Sequence, residues 1–200
     1  MIKDYSEILQ KLPEEVKKLF CEIKIIVFDF DGVFTDNSVY VDERGRETVK
    51  CSRYDGVGLK KLDKLGIKKL IISSEINKVV IERSKKLQIQ CLNGIEEKNK
   101  ELIKILKEFK IDPSQAAFVG NDINDANCLE TVGLPIVVSN CHPEVRKKGK
   151  YVTKYLGGYG AVREVCDIIE KLRNWVNIFM KRNSRNNLFS VHDKIVIITG

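Results

Sequence analysis

Blocks of apolar and polar residues alternate along this chain. Residues 23–28 form a short apolar run that ends in acids, the pattern of a parallel strand buried on both faces. Ahead of it, residues 5–20 carry Ile8, Leu9, Leu12, Val16 and Leu19 at helical spacing, which predicts one amphipathic helix. Residues 38–51 read as a hairpin turning at 42–45. Helices are then predicted near 56–65, 77–87, 98–109, 123–131 and 159–177, and strands near 67–72, 116–119 and 134–138. No internal repeat is visible. The alternation predicts an α/β fold with a doubly wound, mostly parallel sheet, in which ligands lie beyond the carboxyl ends of the strands.

The character of the chain changes after Trp175. One domain is expected over residues 1–178, made of the helix at 5–20 and a core at 23–177, followed by a linker and tail over 179–200. Residues 181–187 (KRNSRNN) are polar and basic, and the last residues run KIVIITG. That ending resembles the truncated start of a short-chain dehydrogenase, where a first strand enters a T-G-x-x-x-G-x-G turn. Here only Thr199 and Gly200 are present, so no dinucleotide pyrophosphate can be cradled. A plain C-terminal strand is the equal alternative, and neither reading makes the chain an oxidoreductase.

Composition narrows the class. With 43% hydrophobic and 32% charged residues, the chain reads as a soluble globular protein, not a disordered one. No apolar run is long enough to span a bilayer, and the N-terminus lacks the apolar core of a secretory signal. The net charge of +7 is dispersed and has no aromatic-rich basic motif with it, so no nucleic-acid partner is expected. Six cysteines occur without a C-x-x-C pair, which argues against zinc and for reduced thiols in the cytoplasm.

Chemistry gathers where the apolar runs stop. The first strand ends in Asp29 and Asp31, two acids whose crowding is unfavourable unless a cation joins them. The second ends at Ser73, whose hydroxyl can meet a phosphoryl oxygen. Lys98 opens a helix, where a cation is ordinarily misplaced and a bound anion would explain it. A further strand runs into Gly120-Asn121-Asp122, with Asp125 just beyond. In this order and placement the elements resemble the four motifs of the haloacid dehalogenase superfamily, over residues 23–169. The resemblance implies a Rossmann-like fold and a magnesium-dependent phosphatase. Asp29 would attack and become an aspartyl phosphate, Asp31 would serve as acid and base, and Ser73 and Lys98 would hold the phosphoryl group. Asp29, Asp31 and either Asn121 or Asp122 would bind Mg2+, with Asp125 in support.

Superfamily members often carry a cap domain. Here the hairpin and one helix fill the span from Asp31 to Ser73, and Ser73 to Lys98 is shorter still, so a capless form with a small hairpin insertion is expected. Three runs are similar to the capless phosphatases of 3-deoxy-2-ulosonate sugar acids: Gly32-Val33-Phe34-Thr35-Asp36, Asp55-Gly56-Val57-Gly58, and Gly157-Gly158-Tyr159-Gly160-Ala161-Val162-Arg163-Glu164-Val165. This likeness implies a sugar-phosphate substrate and a homotetramer packed through the hairpin. It places substrate contacts at Ser52, Arg53, Tyr54, Asp55, Gly56, Lys60, Glu75, Arg83 and Lys86. Ser73-Ser74-Glu75 stands where eight-carbon octulosonate phosphatases commonly have small-Gly-Arg. Glu75 with Lys86 resembles the nine-carbon, sialic-acid-type branch, so 9-phosphates are the expected preference and octulosonate 8-phosphate the alternative. The module also resembles one fused to CMP-sialate synthetases, which leaves a non-catalytic tetramerisation role open. Tyr54 stands where the family often has Arg, and Asn121 where it usually has Asp.

Overall fold

The computed structural model describes residues 5–185, with side chains as far as 176. The first elements are α1 (Ser6–Lys11), α2 (Glu14–Glu22) and β1 (Ile25–Phe28), followed by β2 (Thr35–Val41), β3 (Glu47–Cys51), α3 (Tyr54–Lys64) and β4 (Lys68–Ile72). Next come α4 (Lys78–Leu87), β5 (Gln90–Leu92), α5 (Lys98–Glu108) and β6 (Ala116–Gly120). A 3-10 turn (Ile123–Asp125) leads into α6 (Ala126–Thr131) and β7 (Leu134–Val137). The described chain closes with α7 (Pro143–Arg146), β8 (Tyr151–Val152) and α8 (Ala161–Arg185).

Six strands form one parallel sheet in the order β5-β4-β1-β6-β7-β8, and β2 and β3 pair antiparallel outside it. This is the doubly wound α/β fold that the alternation predicts. All four residues of β1 are buried, because alternate side chains enter opposite layers. Ile26 and Phe28 pack with Phe20, Leu59, Leu62 and Val165 of α2, α3 and α8. Ile25 and Val27 pack with Leu102, Ile105 and Leu129 of α5 and α6. The chain runs outward from β1 to β4 and β5, then returns to β6 on its other side. The crevice at this reversal lies beyond the carboxyl end of β1. Among the described residues nothing but the hairpin and α3 separates β1 from β4, so no cap domain is inserted there.

The structure corrects several boundaries. The single helix expected over 5–20 is two, broken at Leu12-Pro13, because proline has no N–H to continue the ladder. Two strands were not foreseen, Gln90–Leu92 and Tyr151–Val152. Helix α8 continues through the boundary placed at 178, so residues 181–185 of the expected linker are helical. The dehydrogenase-like stretch at 187–200 lies outside the described residues. Among the described residues no helix is long and apolar enough to cross a membrane.

Candidate active site

Register brings the chemistry together. Phe28 pairs with Ile71 of β4 and with Val119 of β6, so Asp29, Ser73 and Asn121 leave three adjacent strands at the same sheet edge. The Asp29 N–H donates to the Val119 carbonyl at 2.9 Å, which extends the ladder one residue and fixes the aspartate. Its Oδ1 accepts from the Phe30 N–H at 2.7 Å and from the Lys98 ammonium at 2.8 Å. Lys98 reaches Asp125 Oδ1 at the same distance, and all three side chains are buried. The anion expected opposite Lys98 is therefore this pair of carboxylates. Burial opposes the ammonium form, but Asp29 and Asp125 together hold the Lys98 pKa above its ordinary value. Burial and then the Asp125 charge raise the pKa of Asp29, against the pull of Lys98.

Asp125 is a brace as well as a counter-ion. Its Oδ2 accepts from the Asn121 N–H at 2.9 Å and the Asp122 N–H at 3.3 Å. Asp122 is exposed, and its own carboxylate caps the turn by accepting from the Ile123 N–H at 2.7 Å. The structure thus aims Asn121, not Asp122, into the crevice. Asp31 is half-buried and accepts from the Thr35 hydroxyl at 3.3 Å, while burial raises its pKa. Thr35 also accepts from the Gly32 N–H at 3.0 Å and so ties the loop closed. Sequence reasoning passed over Thr35 as a functional residue, although it stands in the quoted run 32–36.

The donor set fits a hard divalent cation. The Asn121 side-chain oxygen lies 2.9 Å from the Asp31 main-chain carbonyl and 3.2 Å from Asp29 Oδ2. Three acceptors that close repel one another unless the amide turns end for end or a cation sits among them. Cis oxygens of an octahedral magnesium site stand about 3 Å apart. Gly32 is required beside them, since it holds φ +74° and a Cβ there would lie 2.0 Å from the Asn121 amide nitrogen. Among the described residues no cluster of three His, Cys, Asp or Glu forms a metal cage. Magnesium needs none, because it retains several waters and binds few protein oxygens.

A glycine pair locks this loop from behind. A Cβ on Gly157 would lie 1.7 Å from the Gly32 carbonyl oxygen, and the Gly158 N–H donates to Val33 at 3.0 Å. Gly157→Ala should therefore displace the loop that carries Asp31. The expected result is a roughly 10- to 100-fold fall in kcat with a loss of about 1–3 kcal/mol in urea unfolding. Wild-type turnover in this variant would show that the clamp is dispensable.

A cavity of about 320 Å3 opens against Asp31 between the hairpin and the start of α4. Of the substrate contacts expected from sequence, only Glu75 lines it. Its Oε1 accepts from the Ile76 and Asn77 N–H groups at 2.8 and 2.9 Å, so part of its charge is held by the turn. Arg53, just before α3, and Tyr54 and Lys60 on it are exposed and do not line the cavity. Arg83 donates to the Ser52 carbonyl at 2.7 Å. Asp55 is buried, and burial pushes its pKa up to about 7 against the pull of Arg83 and then Arg163. Lys86 is exposed in the last turn of α4, about 12 Å along the helix from Lys78, and does not line the cavity.

Comparison with known proteins is consistent with this arrangement. Residues 59–163 match a family model described as haloacid dehalogenase-like hydrolase. The 3-deoxy-D-manno-octulosonate 8-phosphate phosphatase KdsC of Yersinia pestis is 33% identical over 157 residues, covering 78% of this chain and 84% of that protein. The enzyme of the same name from Escherichia coli K12 is 34% identical over 148 residues, covering 74% and 79%. The crystal structure of the octulosonate phosphatase from Moraxella catarrhalis, with magnesium, phosphate and KDO bound, superposes with a TM-score of 0.78. It is 32% identical and covers 84% of this chain and 98% of that one.

Proposed function

This chain belongs to the haloacid dehalogenase-like hydrolase family, and from that premise we propose that it hydrolyses the phosphate monoester of a 3-deoxy-2-ulosonate sugar acid with the help of Mg2+. It is a phosphoric monoester hydrolase by kinship with the KdsC enzymes. The observation that carries the site assignment is the convergence of Asp29, the Asp31 carbonyl and Asn121 beside a buried lysine.

Magnesium held by Asp29, the Asp31 carbonyl and Asn121 would neutralise phosphoryl oxygens and lower the repulsion met by an attacking anion. Asp29 is fixed at Oδ1 by Lys98 and the Phe30 N–H and lies beside Asn121 at Oδ2, so its carboxylate is held in place to attack phosphorus and form the aspartyl phosphate. Asp31, on its loop beside the leaving group, gives a proton to the departing sugar oxygen. It then takes one from the water that attacks the aspartyl phosphate. The raised pKa of Asp31 suits the first of these roles. Ser73 and Lys98 flank the transferring group.

Substrate length is the finer question. The relatives above are octulosonate 8-phosphate phosphatases by name. The nine-carbon preference drawn from Glu75 and Lys86 finds no support among them, and Lys86 does not line the cavity that Glu75 lines. The eight-carbon ester therefore takes first place. Comparing kcat/KM for octulosonate 8-phosphate and a nine-carbon 9-phosphate should favour the former by tenfold or more; the reverse order would restore the sialic-acid reading.

A homotetramer is part of the same proposal. Val39, Tyr40 and Val41 on the hairpin are more than half exposed. The cavity's own lining contains no Lys or Arg. Cations such as Arg53 and Lys60 of a neighbouring copy would supply, beyond this cavity, the charge that a sugar carboxylate needs. The six cysteines are all free, as suits the cytoplasm.

A further inference from the structure

The cavity against Asp31 has a wall that the mechanism leaves unused. Strand β3 begins at Glu47, on the hairpin, and its carboxylate lines the cavity opposite the start of α4. There its Oε2 accepts from the Asn77 side-chain amide at 2.9 Å. Asn77 has little freedom in this contact. Its Oδ1 caps α4 by accepting from the Val79 N–H at 3.0 Å, so its nitrogen must face the hairpin. The second oxygen of Glu47 has no hydrogen bond among the described residues. Asp31 and Glu75 add two further carboxylates to the lining, and Val39 and Val79 add apolar surface.

Such a lining selects by charge and by hydrogen-bond type. The ionised Glu47 accepts only, the donors in the lining are the neutral Asn37, Ser38, Ser74 and Asn77 side chains, and no cation lines the cavity with them. A substrate carboxylate would be repelled here, whereas hydroxyl groups can donate to the free oxygens. The cavity also lies next to the acid that meets the leaving oxygen, so it receives the carbons that follow the phosphate ester.

We infer that Glu47 is a specificity-determining residue, which accepts hydrogen bonds from hydroxyl groups on the carbon chain next to the phosphate ester. The inference rests on the sugar-phosphate reading above and deepens it. The hairpin then has a role inside its own chain, as the wall that reads the polyol, while Asn77 holds the Glu47 carboxylate facing inward. A site built to bond hydroxyls discriminates strongly against esters that lack them, because its acceptors are left unpaired.

The test uses the full chain with magnesium and two substrates, octulosonate 8-phosphate and acetyl phosphate, which has no hydroxyl. Glu47→Ala should raise KM for the sugar ester, and its loss of kcat/KM there should exceed the loss for acetyl phosphate by tenfold or more. Glu47→Gln should fall between wild type and Glu47→Ala. Asn77→Ser keeps a capping oxygen but drops the amide that holds Glu47 inward, and it should shift the substrate ratio in the same direction as Glu47→Ala but by less. Equal losses for both substrates in Glu47→Ala, or an Asn77→Ser variant that lowers kcat/KM equally for both substrates, would overturn the inference and leave Glu47 a structural tie. If the wild type cleaves acetyl phosphate but not the sugar ester, the substrate reading itself falls and takes this inference with it.

Discussion

Asp29→Asn should abolish turnover, by roughly 10³-fold or more in kcat, while the protein becomes more stable. An amide at this position cannot form the acyl phosphate, and it brings one anionic ligand fewer to the cation. Stability moves the other way because Asp29 is buried beside Asp125, and that environment raises its pKa in the folded protein. A carboxyl whose folded pKa is raised favours folding below its unfolded pKa. It loses that advantage as pH rises towards the folded value, which lies near neutrality at about 7. The stabilising effect of Asp29→Asn should accordingly be present at pH 8 and fade by about pH 4. Thermal melting in EDTA at both pH values measures it, beside a phosphate-release assay with magnesium. A variant that still turns over with magnesium would remove Asp29 from the mechanism.

Lys98→Met should damage both properties. The ammonium contacts Asp29 and Asp125 at 2.8 Å each, inside the protein. Removing one partner of a buried ionic cluster leaves uncompensated charge, at a cost of about 3–5 kcal/mol. The raised Lys98 pKa means that its own stabilising effect is complete below the unfolded value and is lost as pH rises from there through the folded one. Between pH 5 and 8 the variation must come from the carboxylate side. Without Lys98 the Asp29 pKa should rise further, so the penalty should be smaller near pH 5 than at pH 8. Turnover should fall by about 10²- to 10³-fold, since a phosphoryl oxygen loses its cation. Urea unfolding at the two pH values gives the first result, and initial rates give the second. A penalty independent of pH would mean that the carboxylates do not feel the lysine.

Much of this site was legible because its residues stand where apolar runs stop. Asp29, Ser73 and Asn121 each follow a buried strand, and a parallel sheet carries its strand ends to one edge. The helix-opening position of Lys98 already asked for an anion, and the fold supplies two. Short or polar elements escaped, for periodicity needs length: Tyr151–Val152 has two residues, and Gln90–Leu92 begins with a polar one. The break at Pro13 was written in the sequence, but the apolar spacing across it masked the signal. Glu47 and Asn77 could not be paired in advance. They lie 30 residues apart and meet only because the hairpin folds over the start of α4. The facing of α3 was equally hidden: Asp55 turns inward and Lys60 outward, according to which side of the helix meets α8.

The central claim is that this protein is a magnesium-dependent phosphatase of an ulosonate phosphate. Its most direct test is phosphate release from octulosonate 8-phosphate by the purified protein, with excess magnesium and then with EDTA. The account predicts steady release with magnesium, loss of release in EDTA and recovery when magnesium is restored. Release that is equal with and without the cation would contradict it, as would no release under any of the three conditions.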